Sequence, residues 1–322
     1  MGVLGLIKAG GRVAVGLFLF LLAGMSSGCA LLSPRPMPRP PAGQERVLLP
    51  DVPFFAQEAH QCGPAALAMA LSWSGLAVTP EELTAQVYTP GRQGSLQNDL
   101  ITAARRHGRL AYPVYGAEAL LAELGAGHPV IVLLNLGFSW SPKWHYAVVV
   151  GYDQPAAEIV MRSGSRAAER LAFRVFGNTW RRGDFWGLVV LAPGRMPATV
   201  AEAPYIDAVV GLEKARQWSA ATIAYRAAAD RWPQSFAAWL GLGNSRYFSG
   251  DLAGAEAAFR EGCRLRPQAG SAWNNLAQVL WEQGQGEEAL AAAERAVRLG
   301  GPLAGEFAAT LAGIRAGLTA GK

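Results

Sequence analysis

From residue 204 to residue 302 the chain returns to the same residue types every 34 positions, and this spacing constrains its fold more than any other feature. Trp239 and Trp273 are 34 apart, as are Leu242 and Leu276, Gly250 and Gly284, and Ala255 and Ala289. Gly243 and Ala277 fill a further shared slot with small residues. One unit earlier, Tyr205, Ala221, Tyr225, Ala228 and Pro233 fall in register with Trp239, Ala255, Phe259, Gly262 and Pro267. A helical unit of this length cannot bury its apolar face alone, so it stacks on its own copies. Small residues at fixed slots let paired helices approach, and bulky ones fill the gaps between pairs. A generic bundle has no reason to return four slots at one period. Three units, with a capping helix over 303–318 and a tail to residue 322, are enough for a cooperative stack. Trp218, Trp232 and Trp281 read as packing residues in it.

The period and its pattern resemble the tetratricopeptide repeat. That resemblance implies an all-α solenoid with a concave surface for a peptide or protein partner, and no chemistry of its own.

Upstream of the repeats the chain divides again. Lys8 and Arg12 precede an apolar run from Val13 to Leu22, and small residues lead to Cys29. A run this short reads as a secretory signal rather than a membrane span. The Ser26-Ser27-Gly28-Cys29 stretch resembles the lipobox of bacterial lipoproteins. The resemblance implies a signal over 1–28, a lipidated Cys29 as first mature residue, and a membrane anchor. Ala30 in place of an acidic residue implies sorting to the outer membrane, facing the periplasm. Ser33 to Gly43 holds five prolines in eleven residues, and 29–45 reads as the tether.

Composition narrows the function classes. The formal charge is +5, and removing Lys8 and Arg12 with the signal leaves +5 − 2 = +3. The basic residues are dispersed, so nucleic acid is not an expected partner. Three cysteines exclude a disulfide framework and a four-cysteine zinc site, and the four histidines form no HExxH pair. No metal and no cofactor are expected.

Residues 46–196 read as one α+β domain. Cys62 to Ser74 is an apolar, alanine-rich helix with Pro64 near its start. Thr79-Pro80-Glu81-Glu82 is a capping box. Further helices are expected over 95–107 and 117–124. The period then changes, and strands are expected over 129–136, 145–152, 158–162 and 185–191. Helices first and strands after is an α+β order rather than a doubly wound one. Trp144, Trp180 and Trp186 are expected to wall the cleft or the core.

Two residues in this domain can carry chemistry. Cys62 opens a helix, where the dipole favours the thiolate, which is the nucleophilic form. His145 opens an apolar strand, where a histidine can face a cleft as a base. His107 and His128 lie at element ends beside turn residues, and His60 is on the approach to Cys62. Cys263, in a repeat helix, reads as packing, with both Cys62 and Cys263 free thiols.

Gln57, Cys-Gly-Pro-Ala at 62–65, Leu67, Met69 and Gly75, followed by His-Tyr-Ala-Val-Val-Val-Gly-Tyr-Asp at 145–153, resemble the double-glycine leader peptidases. These are papain-like cysteine peptidases, and the likeness is greatest to free-standing forms with a lipoprotein signal and tetratricopeptide repeats. The resemblance implies a papain-like α+β peptidase domain that hydrolyses peptide bonds of a peptide or protein substrate. Cys62 would be the nucleophile and His145 the general base. Gln57 would donate to the oxyanion hole with the Cys62 N–H; Gln61 is the alternative donor. The family orients its histidine with an Asp or Asn after the next strand, and this chain has Ser163 there. Asp153 is the nearest carboxylate and the candidate orienter, although it also suits a turn before Gln154-Pro155; Asn178 is a further candidate. Two other functions fit the same residues. One is a catalytically degenerate peptide-binding or assembly lipoprotein. The other is an amidase or acyl-transfer enzyme on the same thiol–histidine pair.

Overall fold

The computed structural model describes residues 37–38, 40, 43–57 and 61–320. The signal, Cys29, most of the proline tether and His60 lie outside the described residues. No helix among the described residues is long and apolar enough to cross a membrane.

The first half is a seven-stranded antiparallel sheet with helices packed on it. Its elements are β1 (Arg46–Leu48), α1 (Cys62–Trp73), α2 (Pro80–Val87), α3 (Gln97–Arg106), β2 (Leu110–Tyr115), α4 (Gly116–Gly125), β3 (Val130–Asn135), β4 (Trp144–Asp153), β5 (Glu158–Ser163), β6 (Arg166–Ala172), α5 (Phe173–Arg181) and β7 (Trp186–Leu191). The strand order is β2-β7-β3-β4-β5-β6, and β1 pairs with β4 beyond the end of β3.

The α+β class holds, but helices do not all precede strands. Both β1 and β2 come early, and β6 and α5 are elements beyond those the sequence pattern predicts. Pro113 hides β2 from a pattern reading, since proline donates no ladder hydrogen bond. The structure accommodates it by using β2 as an edge strand that pairs only with β7.

Helix α1 organises the core. Gly63 to Leu71 are all buried, as expected of a helix that is apolar all round. Its alanines let it lie close against Tyr146, Val148 and Val150 of β4, Ile131 of β3, and Trp186, Leu188 and Val190 of β7. The capping box on α2 is present: Thr79 Oγ1 accepts from the Glu82 N–H and Glu82 Oε2 accepts from the Thr79 N–H.

The second half runs α6 (Glu202–Lys214), α7 (Trp218–Arg231), α8 (Phe236–Phe248), α9 (Leu252–Leu265), α10 (Gly270–Glu282), α11 (Gly286–Leu299) and α12 (Ala304–Ala320). Each helix packs on the next, and α6, α8, α10 and α12 also pack in succession. The sequence period reappears as a period of interactions. Trp239 Nε1 donates to Pro233 O at 2.9 Å, and Trp273 Nε1 donates to Pro267 O at 3.0 Å. Gly243 is small for a reason: a Cβ there would lie 2.4 Å from the Phe259 ring. Trp281 packs against Gly317 of α12, and Trp232 against Tyr205.

Helix α6 also packs on β2 and α3 of the sheet domain. Gly211 lies against the Arg105 guanidinium, and Gln217 Nε2 donates to Arg106 O. A second clasp closes the connection between the halves. Glu123 of α4 is fully buried and accepts from the Ala198 N–H, the Thr199 N–H and the Thr199 hydroxyl, with His128 Nδ1 at 2.7 Å. Burial alone would raise this carboxyl, but His128 and the three donors together hold it below the ordinary range. A depressed carboxyl stabilises the fold fully above its unfolded value, about 4.3, and that contribution is lost as the pH falls through the lower folded value. Glu123→Ala is expected to cost about 3–5 kcal/mol, because it leaves buried donors without an acceptor. Urea unfolding at neutral pH checks this, and the gap between wild type and Glu123→Gln should close in strong acid.

Candidate active site

The site lies where β4 and β5 part. Their pairing ends at Val148 and Arg162, so the first residues of β4 have no strand on that side. Leu136 N donates to Lys143 O at 2.9 Å. Bonded and non-bonded pairs alternate along an antiparallel ladder. With Leu134 opposite His145 and Leu133 opposite Tyr146, Tyr146 turns its N–H and C=O away from β3, into the open gap.

Gln57 bridges that gap. Its N–H donates to Gly164 O at 2.9 Å, and its side-chain Oε1 accepts from the Gly164 N–H at 3.1 Å. Its Nε2 donates to Tyr146 O at 3.4 Å. The acceptor and donor ends of the amide are therefore fixed by their partners. Gly164 adopts φ +56 in the two-residue turn between β5 and β6, a conformation that glycine accepts readily. Gln61 turns elsewhere: its Oε1 accepts from Thr84 Oγ1 of α2 at 3.1 Å.

Cys62, the first residue of α1, comes to the same strand residue, with the Tyr146 main chain within hydrogen-bonding reach of its thiol. The chain comes close here. A Cβ on Gly63 would lie 2.2 Å from Ser95 Oγ and 2.5 Å from Ser95 Cβ. The expected thiolate is not what this environment favours. Burial pushes the Cys62 thiol above its ordinary value, outweighing the N–H groups of Tyr146, Gly63 and Cys62 itself. The helix start supplies donors, but desolvation is the larger effect.

His145 neighbours Tyr146 but faces the other way. Tyr146 enters the core beneath α1, so strand alternation puts the histidine ring on the opposite face. There it lines a groove of ≈ 380 Å³ with Leu134, Met161 and Ser163. Its Nε2 is 3.0 Å from Ser163 Oγ. Burial holds the imidazole below its ordinary value, against an opposing pull from the charge of Glu169. Cys62 and His145 thus flank one open strand edge. Both shifts favour a neutral thiol and a neutral ring over a preformed ion pair.

The position of Asp153 is a correction. It stands at the far end of β4, eight residues from His145 and so roughly 26 Å away at strand rise. Its carboxylate accepts from the Ala156 N–H and pairs with Arg46, the turn role that its sequence context allows. Asn178 is on α5 and forms no hydrogen bond with His145. Ser163 is the residue that touches the ring. What sequence reasoning missed is the main chain of Tyr146 and the turn at Gly164. The Ser163-Gly164-Ser165 run between two strand-length segments was the available signal. Cys263 is buried in the repeats and its thiol is pushed up to about 12 by that burial. Both Cys62 and Cys263 are free. Trp180 and Trp186 are core residues, and Trp144 is exposed.

Residues 49–182 match the Peptidase C39 like family. Residues 207–270 and 241–304 match the tetratricopeptide repeat. The chain therefore carries an α+β domain similar to the Peptidase C39 like family, followed by helices similar to tetratricopeptide repeats. Among solved structures it is similar to a Bacillus anthracis protein described as a C39-like peptidase, at 18% identity and TM-score 0.38, covering 45% of this chain and 97% of that one. It is also similar to the type III secretion translocator chaperone SycD of Yersinia enterocolitica, at 16% identity and TM-score 0.36, covering 38% and 92%. A third is the first tetratricopeptide domain of Spaghetti (RPAP3) bound to an HSP90 peptide, at 18% identity and TM-score 0.35, covering 37% and 93%. No curated protein matches the chain.

A neutral resting thiol has a kinetic signature. In a Cys263→Ala background, the rate of Cys62 alkylation by iodoacetamide is expected to keep climbing from about pH 7 to about pH 9, because only the thiolate reacts. A rate that is flat across that range would reveal a preformed ion pair instead.

Proposed function

We propose that this protein is a cysteine peptidase, with Cys62 as nucleophile, His145 as general base and Gln57 as oxyanion donor. The observation that carries this reading is the convergence of Gln57 and Cys62 on Tyr146, the residue beside His145. In the tautomer that donates Nε2–H to Ser163 Oγ, the Nδ1 of His145 is the proton acceptor. His145 takes the thiol proton as Sγ attacks the scissile carbonyl carbon, forming the C–S bond. The developing oxyanion receives the Cys62 N–H and one Gln57 Nε2–H. The proton then passes from His145 to the leaving amine as the C–N bond breaks. Water, activated by the same ring, hydrolyses the thioester and restores the thiol. The neutral resting pair makes proton transfer part of the attack rather than a prior step.

The repeats serve as the docking surface for a peptide or protein substrate or partner. Lys8, Arg12, the apolar run and the cysteine that follows support a mature chain anchored by lipid on Cys29, in the outer membrane and facing the periplasm. Cys29→Ser is expected to abolish incorporation of labelled palmitate; undiminished labelling would end that reading.

Hydrolysis is tested with the purified mature protein and a fluorogenic peptide pool. Cys62→Ala and His145→Ala should abolish turnover. Gln57→Ala should lower it by about 10²–10³, the range for one lost oxyanion donor. A second reading, a degenerate peptide-binding lipoprotein, is favoured by Ser163 in the acid's position and by the raised Cys62 thiol. No hydrolysis by wild type, with a peptide retained equally by Cys62→Ala, would select it.

A further inference from the structure

The orienting carboxylate expected after the next strand is absent, and Asp153 is too distant to replace it. The groove nevertheless holds a carboxylate. Across the β5–β6 ladder, Glu169 pairs with Met161, and Arg166 pairs with Ser163. Cross-strand partners share a face, so Glu169 lies on the face of Met161, where Ser163 and His145 also line the groove. Its side chain is largely buried, at 19% exposure. Among the described residues the one cation lining the groove is Arg166, whose Nη1 donates to Glu169 Oε1 at 3.1 Å while the side chain is 72% exposed. The groove residues contributed by β3, the residue just past it and α5, namely Leu134, Leu136, Val175 and Thr179, carry no charge.

We propose that Glu169, reaching the groove from β6, is the positioning residue that supplies the negative charge facing His145, in place of a carboxylate at position 163. Its catalytic meaning rests on the peptidase reading above; its electrostatic effect on the ring does not. Ser163 fixes the ring through Nε2, and Glu169 stabilises the imidazolium that forms when the thiol proton is transferred. One residue does the orienting and another the charge compensation, two tasks that a single Asp would combine. The charge that opposes burial at His145 is that of Glu169. Arg166 tempers it only partly, since an exposed guanidinium is screened by water.

The test is an NMR titration of the His145 ring in the full mature chain carrying Cys62→Ala, with the resonance assigned by its loss in His145→Gln. Glu169→Gln should lower the His145 midpoint by about half a unit or more, since removing a nearby opposite charge disfavours the charged ring. Arg166→Ala should move it the opposite way, because it frees the same carboxylate. Asp153→Asn should leave it unmoved. These opposed signs separate charge from scaffolding. If Glu169 only tethered Arg166, both groove variants would shift the ring alike, and the proposal would fall. It would also fall if Glu169→Gln titrated like Asp153→Asn. A wild type that cleaves no peptide, with the titration behaving as expected, would refute the peptidase reading and leave this assignment standing.

Discussion

The site depends on one side chain standing in for a missing stretch of strand. Beyond Val148, β4 has no β5 residue to bond, and an open strand edge beside a buried helix leaves main-chain groups that need partners. Gln57 meets that need at two points. It pairs with Gly164 much as a strand residue would, and it reaches Tyr146 with its amide. Gln57 and Cys62 thus meet at one strand residue, Tyr146. Position of the thiol, direction of the amide and width of the gap are therefore one structural fact.

This arrangement places two titratable groups on opposite faces of a sheet and lets them address its rim. Cys62 comes from the face that α1 covers, and His145 looks into the groove beneath α5. Each is desolvated by its own layer, which drives both toward neutrality. The usual argument for an activated cysteine, a helix dipole acting on a thiol, is outweighed here by burial. Under the peptidase reading proposed above, reactivity would come from a base acting during attack, not from a charge already separated.

Much of this was legible in the sequence, for identifiable reasons. The repeats announce themselves because the same packing problem is solved with the same residues 34 positions apart, down to the Trp239 and Trp273 bonds to proline carbonyls. Helix α1 and β4 are continuous apolar segments, and burial on all sides leaves that mark. By contrast β6 reads Arg-Ala-Ala-Glu-Arg-Leu-Ala and is mostly exposed, so no apolar period betrays it. Nothing in that pattern marks Glu169 as a groove residue, whereas Asp153 is near His145 only in sequence. Along an extended strand, eight residues is a long way. The contribution of Tyr146 was hidden for another reason: its amide and carbonyl do the work, and the residue letter does not report them.

The junction between the halves has a consequence for how the molecule can be taken apart. Helix α6 opens the repeat array, yet it lies on β2 and α3, with Gly211 shaped to the Arg105 side chain. β2 is an edge strand carrying a proline, and α6 is its cover. Cutting the chain between Leu191 and Glu202 would uncover a sheet margin and strand a guanidinium. The array is thus a mounted fixture rather than a trailing accessory, because its first helix is also part of the sheet domain's outer layer.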